Sequence, residues 1–188
     1  MESTMLKIRE QKGFTLVEIV VIIALLAIVA LIVFQIFGNP FKQSSTDGNT
    51  TQIFEQFRAV EQGASQYYAL NMKETPDIAT LTTAGILKTL PAPTTSAREP
   101  TNTYTSGYTI VLSNQYPSGT TITGFGGPAT DTVAYLEGVT QDICSQVNYR
   151  FARGVQGATP PAAIDYTKSL QCYGTAPNFV VLMPVYVN

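Results

Sequence analysis

The sequence predicts an α+β protein in which one long N-terminal helix precedes an antiparallel sheet. Three observations carry that expectation. Residues 19–34 are sixteen uninterrupted apolar residues, residues 50–73 carry apolar side chains at three-to-four spacing, and short alternating segments separated by turn residues begin at about residue 104.

The first element runs from Phe14 to Phe37, interrupted only by Thr15, Glu18 and Gln35. As a helix it would be roughly 36 Å long, enough to cross a bilayer. Lys7, Arg9 and Lys12 precede it, while only Lys42 and Asp47 mark the ten residues after it. The positive-inside bias therefore predicts residues 1–13 in the cytoplasm and residues 40–188 outside. A conventional cleaved signal has a shorter apolar region ending at a small-residue site, and Gly38-Asn39-Pro40 offers none. An ionised Glu in such a helix costs about 2.5–3.5 kcal/mol on insertion scales. An ordinary uncleaved anchor with Glu18 snorkelling at the interface accounts for the topology on its own.

Pro40 biases Asn39 away from the helical region, so the first helix is expected to end or kink there, with Lys42 to Asn49 as a short loop or melted segment. A second helix is expected from about residue 50 to 73. Its stripe of Ile53, Phe57, Val60, Ala64 and Tyr67 is a core face meant to pack against a sheet. Thr75-Pro76, Ile78, Leu81 and Gly85 predict a short helix with proline at its first turn and glycine at its end. Residues 91–103, rich in Pro, Thr and Ser, read as a loop.

Tyr108, Ile110 and Leu112 alternate with Thr109, Val111 and Ser113, the pattern expected of a half-buried strand. Thr120–Phe125, Thr132–Leu136 and Phe179–Val187 are the other expected strands, with Pro184 placing the last at an edge or a bulge. Gly124-Phe125-Gly126-Gly127 lacks the Lys-Ser/Thr of a phosphate loop and reads as a turn. Between the strands, Thr140 to Ala152 is expected to be helical, with Ile143, Val147 and Phe151 on one face.

Composition narrows the function classes. The chain has 188 residues, no His and two Cys, which removes a His base, His-ligated metals and Cys-His nucleophiles. Its carboxylates are scattered, so no catalytic residues, metal site or cofactor are expected, and a membrane-anchored enzyme is disfavoured. Without residues 1–13 the net charge is −3, which gives no indication of nucleic-acid binding. Arg150 and Arg153 beside Tyr149 and Phe151 are the only basic and aromatic cluster, explained most simply as a helix surface.

Gly13-Phe14-Thr15-Leu16-Val17-Glu18, with a basic leader before it and an apolar helix behind, resembles the processing site of type IV prepilins and type II secretion pseudopilins. The resemblance implies the pilin fold and a division into a leader, 1–13, a transmembrane and assembly helix, 14–37, and an extracytoplasmic domain, 38–188. Within that domain the sheet and Cys-bounded region would occupy about 104–188. It also implies cleavage after Gly13 by a prepilin peptidase and N-methylation at Phe14. Glycine at the cut lets the backbone approach catalytic carboxylates closely. Glu18, fifth in the mature chain, would form the assembly salt bridge, since the new α-amine supplies a cation four residues away.

The resemblance points to a structural subunit of a type IV pilus, a helical homo-oligomer. It would start as a single-pass precursor in the lipid of the inner membrane, N-terminus cytoplasmic, meet the pilus assembly platform there, and end in a cell-surface pilus. The alternative is a minor pilin or type II secretion pseudopilin acting in secretion, adhesion or DNA uptake. The short leader and Phe14 look like the type IVa group, whereas Asp77–Pro93 and the helix bearing Cys144 look more like type IVb. On this topology Cys144 and Cys172 face an oxidising compartment, and a disulfide is the default reading, with a pair of buried reduced thiols as the other. In pilins such a bond closes a variable surface region, which makes Gly138–Gly174 the expected exposed loop.

Overall fold

The structure, a computed structural model, describes residues 15–37, 40–75, 77–104, 107–115, 122, 124–125 and 131–186. It divides into two compact units, Met1–Lys42 and Gln43–Asn188. The elements in chain order are α1 (Leu16–Phe37), α2 (Pro40–Asn71), α3 (Ile78–Thr83), a 3₁₀ turn at Thr95–Ala97, β1 (Val111–Ser113), β2 (Thr132–Val139), α4 (Gln141–Phe151), β3 (Gln171–Thr175) and β4 (Asn178–Tyr186). The fold is α+β, as the sequence predicts.

The four strands form an antiparallel sheet in the order β1-β2-β4-β3. Strand alternation sends two apolar sets to opposite faces. Ala134, Leu136, Cys172, Val181 and Met183 join Ile53, Phe57, Val60 and Ala64 of α2 and Ile143 and Val147 of α4 in the main core. Val133, Tyr135, Tyr173, Val180 and Leu182 face the other way, where Ile122 and the partly buried Tyr104, Phe125 and Ile164 cover them. All eight residues of β2 are therefore buried.

The α2 stripe lands where its spacing predicts: Ile53, Phe57, Val60 and Ala64 are at most 1% exposed, and Tyr67 packs at the margin. The expected loop at 42–49 is a correction, because these residues are helical and α2 starts at Pro40. Proline is tolerated in a first helical turn, where its missing N–H has no partner to lose. Two of the polar residues that suggested a loop are held by neighbours. Asp47 accepts hydrogen bonds or ion-pair contacts from Gln146 (2.6 Å) and Arg150 (3.1 Å), and Asn49 bonds Ser96 and Thr94. Gly38 and Asn39, on which the continuity of the first helix turned, lie outside the described residues.

The short helix is present as α3, capped by Asp77, whose carboxylate accepts from the Thr80 N–H at 2.7 Å. The expected Pro91–Thr103 loop holds only the 3₁₀ turn and an isolated bridge from Arg98 to Val139. The first strand shortens to Val111–Ser113, with Ile110 and Leu112 buried. Within Thr120–Phe125 only Ile122, Gly124 and Phe125 are described, and none lies in a named strand. Ile122 donates to the Asn114 carbonyl and accepts from the Asp131 N–H, which lays it over the sheet.

Strand β2 continues three residues beyond Leu136 through an irregularity between Glu137 and Val139, where Gly138 has φ +75. Only glycine takes that conformation readily. Pro184 sits next to the other irregularity, Val185 being the extra residue between the pairs Val133↔Pro184 and Thr132↔Tyr186. β4 is an inner strand, but its pairing with β3 ends at Leu182. A residue without an N–H is harmless beyond that point.

Candidate functional site

The first site is the start of α1. Its side chains from Leu16 to Val33 are all exposed in the isolated chain, Leu16 at 80% and Ile22, among the least exposed, at 41%. By length and composition this is the one helix among the described residues able to cross a membrane. Its 22 residues span roughly 33 Å, against a hydrocarbon core of about 30 Å. Glu18 is the sole ionisable residue in it and lies in the first turn, where the helix dipole favours a negative charge.

Thr15 starts the helix. Its carbonyl accepts the Ile19 N–H at 3.2 Å and its hydroxyl the Glu18 N–H at 3.3 Å. That is one half of a capping box, the pattern Thr-x-x-Glu, which satisfies one of the otherwise orphaned first N–H groups of the helix. In the sequence Thr15 reads only as an interruption of the apolar run. Its spacing to Glu18 was the available signal. Gly13 and Phe14, the expected cleavage and methylation positions, lie outside the described residues.

The second site is the Cys-bounded region. Cys144 of α4 and Cys172 of β3 form a disulfide with Cα atoms 5.1 Å apart, and both are fully buried. α4 begins where the sequence places it because the Thr140 hydroxyl accepts the Ile143 N–H. Asn148, one turn beyond Cys144, binds the Cys172 backbone twice: its Nδ2 donates to the carbonyl at 2.6 Å and its Oδ1 accepts the N–H at 2.8 Å. Sequence reasoning missed Asn148, whose partner is 24 residues away in an unpredicted strand.

Gly138–Gly174 as a single exposed loop is corrected. It contains the end of β2, all of α4 and most of β3, with Ile143, Cys144, Val147, Leu170 and Cys172 in the core. The amphipathic face of α4 draws the segment inward, and the exposed part contracts to stretches within 153–169. That part is itself tied down. The buried Gln171 side chain accepts the Asp165 N–H and donates to the Asp165 carbonyl, both at 2.7 Å. The Thr167 hydroxyl and amide hold the Asp165 carboxyl below its usual range.

The basic and aromatic cluster divides. Arg150 pairs with Asp47 and donates to Thr51, Phe151 stacks on Phe54, and Tyr149 stays partly exposed. Half of the cluster thus joins helices and does not face a ligand. Among the described residues no three His, Cys, Asp or Glu gather to hold a metal ion.

Residues 8–34 match the prokaryotic N-terminal methylation motif. With the apolar helix α1, most of which lies within the matched residues, the chain fits a type IV pilin-like prepilin, a membrane-anchored precursor of a structural class of protein. The motif implies processing by a prepilin peptidase and assembly into a pilus or pseudopilus. No curated protein and no solved structure matches the chain.

Proposed function

We propose that the chain is a structural subunit of a type IV pilus. The observation that carries this reading is the methylation motif, which takes in most of an apolar helix whose one ionisable residue is Glu18. In the proposed sequence of events the precursor crosses the inner membrane once, N-terminus in the cytoplasm. A peptidase cuts after Gly13, and the amine on Phe14 is methylated and remains a cation. Glu18 of one subunit then pairs with the amino terminus of a neighbour, because unlike charges removed from water attract strongly and pairing is how a buried ion is tolerated. That contact sets the axial stagger as subunits leave the bilayer for the cell surface. The exposed apolar side chains of α1 would be covered first by lipid and then by the α1 helices of other copies.

Mass spectrometry of the mature amino terminus tests the processing step. A chain beginning at methylated Phe14 is expected, and an intact Met1 in assembled material would overturn it. Glu18→Ala should leave cleavage intact and abolish efficient assembly, so normal filaments from that variant would sink the proposed salt bridge. Electron microscopy of sheared surface fractions separates the major subunit from a minor pilin or pseudopilin: the chain should be the dominant filament protein, and a trace amount would turn the assignment to the latter.

A further inference from the structure

We propose that Asn148 is a positioning residue for the oxidation of Cys144 and Cys172, holding the two sulfurs together before any bond joins them. Cys144 and Asn148 lie four residues apart on α4, on one face of the helix. Asn148 uses both ends of its amide on the Cys172 backbone, at 2.6 and 2.8 Å. An amide bound this way acts as a short piece of additional strand beside β3, and it fixes how close the Cys172 backbone lies to α4. A slip of β3 by one residue would present Gln171 or Tyr173 to the clip and turn the Cys172 side chain to the opposite face of the sheet. A slip by two would bring Leu170 or Gly174 opposite Cys144. The pairing of Cys172 with Val181 of β4 decides which residue meets the clip, and Asn148 then holds that residue's backbone against α4, with the Cys172 sulfur beside Cys144.

The reaction served is thiol–disulfide exchange with a small-molecule disulfide as oxidant. One cysteine thiolate attacks the small disulfide and releases one thiol, leaving a mixed disulfide. The other cysteine displaces the second thiol, so the protein pair loses two electrons and the two thiol protons end on the two released thiols. Because the sulfurs are fully buried in the product, the region opens to admit the oxidant, and the contribution of Asn148 is to the equilibrium. The assignment rests on α4 and β3 alone and is independent of the proposed pilus role.

The test uses the full chain in detergent micelles, reduced and then equilibrated with defined mixtures of reduced and oxidised glutathione. Alkylation traps the two states and gives the effective concentration of the cysteine pair. Loss of both hydrogen bonds in Asn148→Leu is expected to lower that concentration about tenfold or more, and Asn148→Asp, which sets a carboxylate oxygen against the Cys172 carbonyl, is expected to lower it as well. An unchanged value in Asn148→Leu would overturn the proposal. Should that variant fail to fold, amide exchange in the reduced unsubstituted chain decides. A Cys172 N–H that stays protected without the disulfide supports the clip, and one that exchanges freely removes it.

Discussion

Phe54 of α2 and Phe151 of α4 stack with ring centroids 4.3 Å apart and planes 16° from parallel, and the Arg58 guanidinium lies over the Phe54 ring at 5.1 Å. The pair joins two helices that lie far apart in sequence, and it does so away from the disulfide. Both rings are only half-buried, so Phe151→Ala should cost about 2 kcal/mol, less than a fully buried ring would. In a double-mutant cycle with Phe54→Ala, a coupling of about 0.5–1.5 kcal/mol is expected from denaturant unfolding of the full chain in micelles. Purely additive losses would mean that the stacking contributes nothing of its own.

Asp47 ties the first turns of α2 to Gln146 and Arg150 of α4. Its pair with Arg150 is about one third exposed on each side (33% and 36%), so Asp47→Ala should lower global stability by no more than about 1 kcal/mol. The local effect should be larger than the global one. Hydrogen exchange of amides 43–51 is expected to accelerate well above that of 57–64, and equal acceleration of both stretches would show that the polar contacts do not hold this segment.

Asp77 gives α3 a pH dependence with a definite sign. The Thr80 amide and hydroxyl hold its carboxyl below the usual value of 3.8, so folded protein binds this proton less readily than unfolded protein. The stabilisation is fully present above the unfolded pKa and is lost as pH falls through the lower, folded one. Asp77→Ala should cost about 1 kcal/mol at neutral pH, as a lost cap does, and less once the carboxyl is protonated. Unfolding curves of the two proteins that stay parallel down to pH 2 would exclude a role for the ionised cap.

Two glycines are expected to respond to alanine in opposite directions. Gly174 has φ +126, and a Cβ there would press into the carbonyl of Asn178 across the β3–β4 turn, so Gly174→Ala should cost on the order of 3 kcal/mol or more. Gly48 is helical with nothing near a built Cβ, and Gly48→Ala should gain up to about 1 kcal/mol. Thermal melts of both variants check the contrast, and a destabilised Gly48→Ala would mean that this part of α2 needs glycine's freedom.

Periodicity exposed the elements whose cause is local. The α2 stripe and α4 with Thr140 at its head could be read because burial there tracks spacing, while β2, buried on both faces, was legible from its run Thr-Val-Ala-Tyr-Leu. The elements fixed by distant partners were not legible. Residues 42–49 look like a loop until Arg150 and Gln146, about a hundred residues on, reach Asp47. Strand β3 is five residues, Gln-Cys-Tyr-Gly-Thr, with a polar residue buried at its first position and glycine near its end, so no alternation announces it. At the N-terminal site the motif and Glu18 were plain in the string. Thr15 was missed because it reads as a gap in an apolar run, which hides its Thr-x-x-Glu spacing to Glu18.

The two bonds from Asn148 to Cys172, with the one from the Gly174 N–H to the Pro161 carbonyl at 2.8 Å, have a consequence for the chain in company. β3 is the last strand of its sheet, and a terminal strand with idle amides and carbonyls is a template on which any other extended chain can grow. Here three of those groups are already engaged from within the molecule. A protein that accumulates at high density can therefore keep β3 from recruiting stray strands into cross-β aggregates, and ordered association must arise from some other surface.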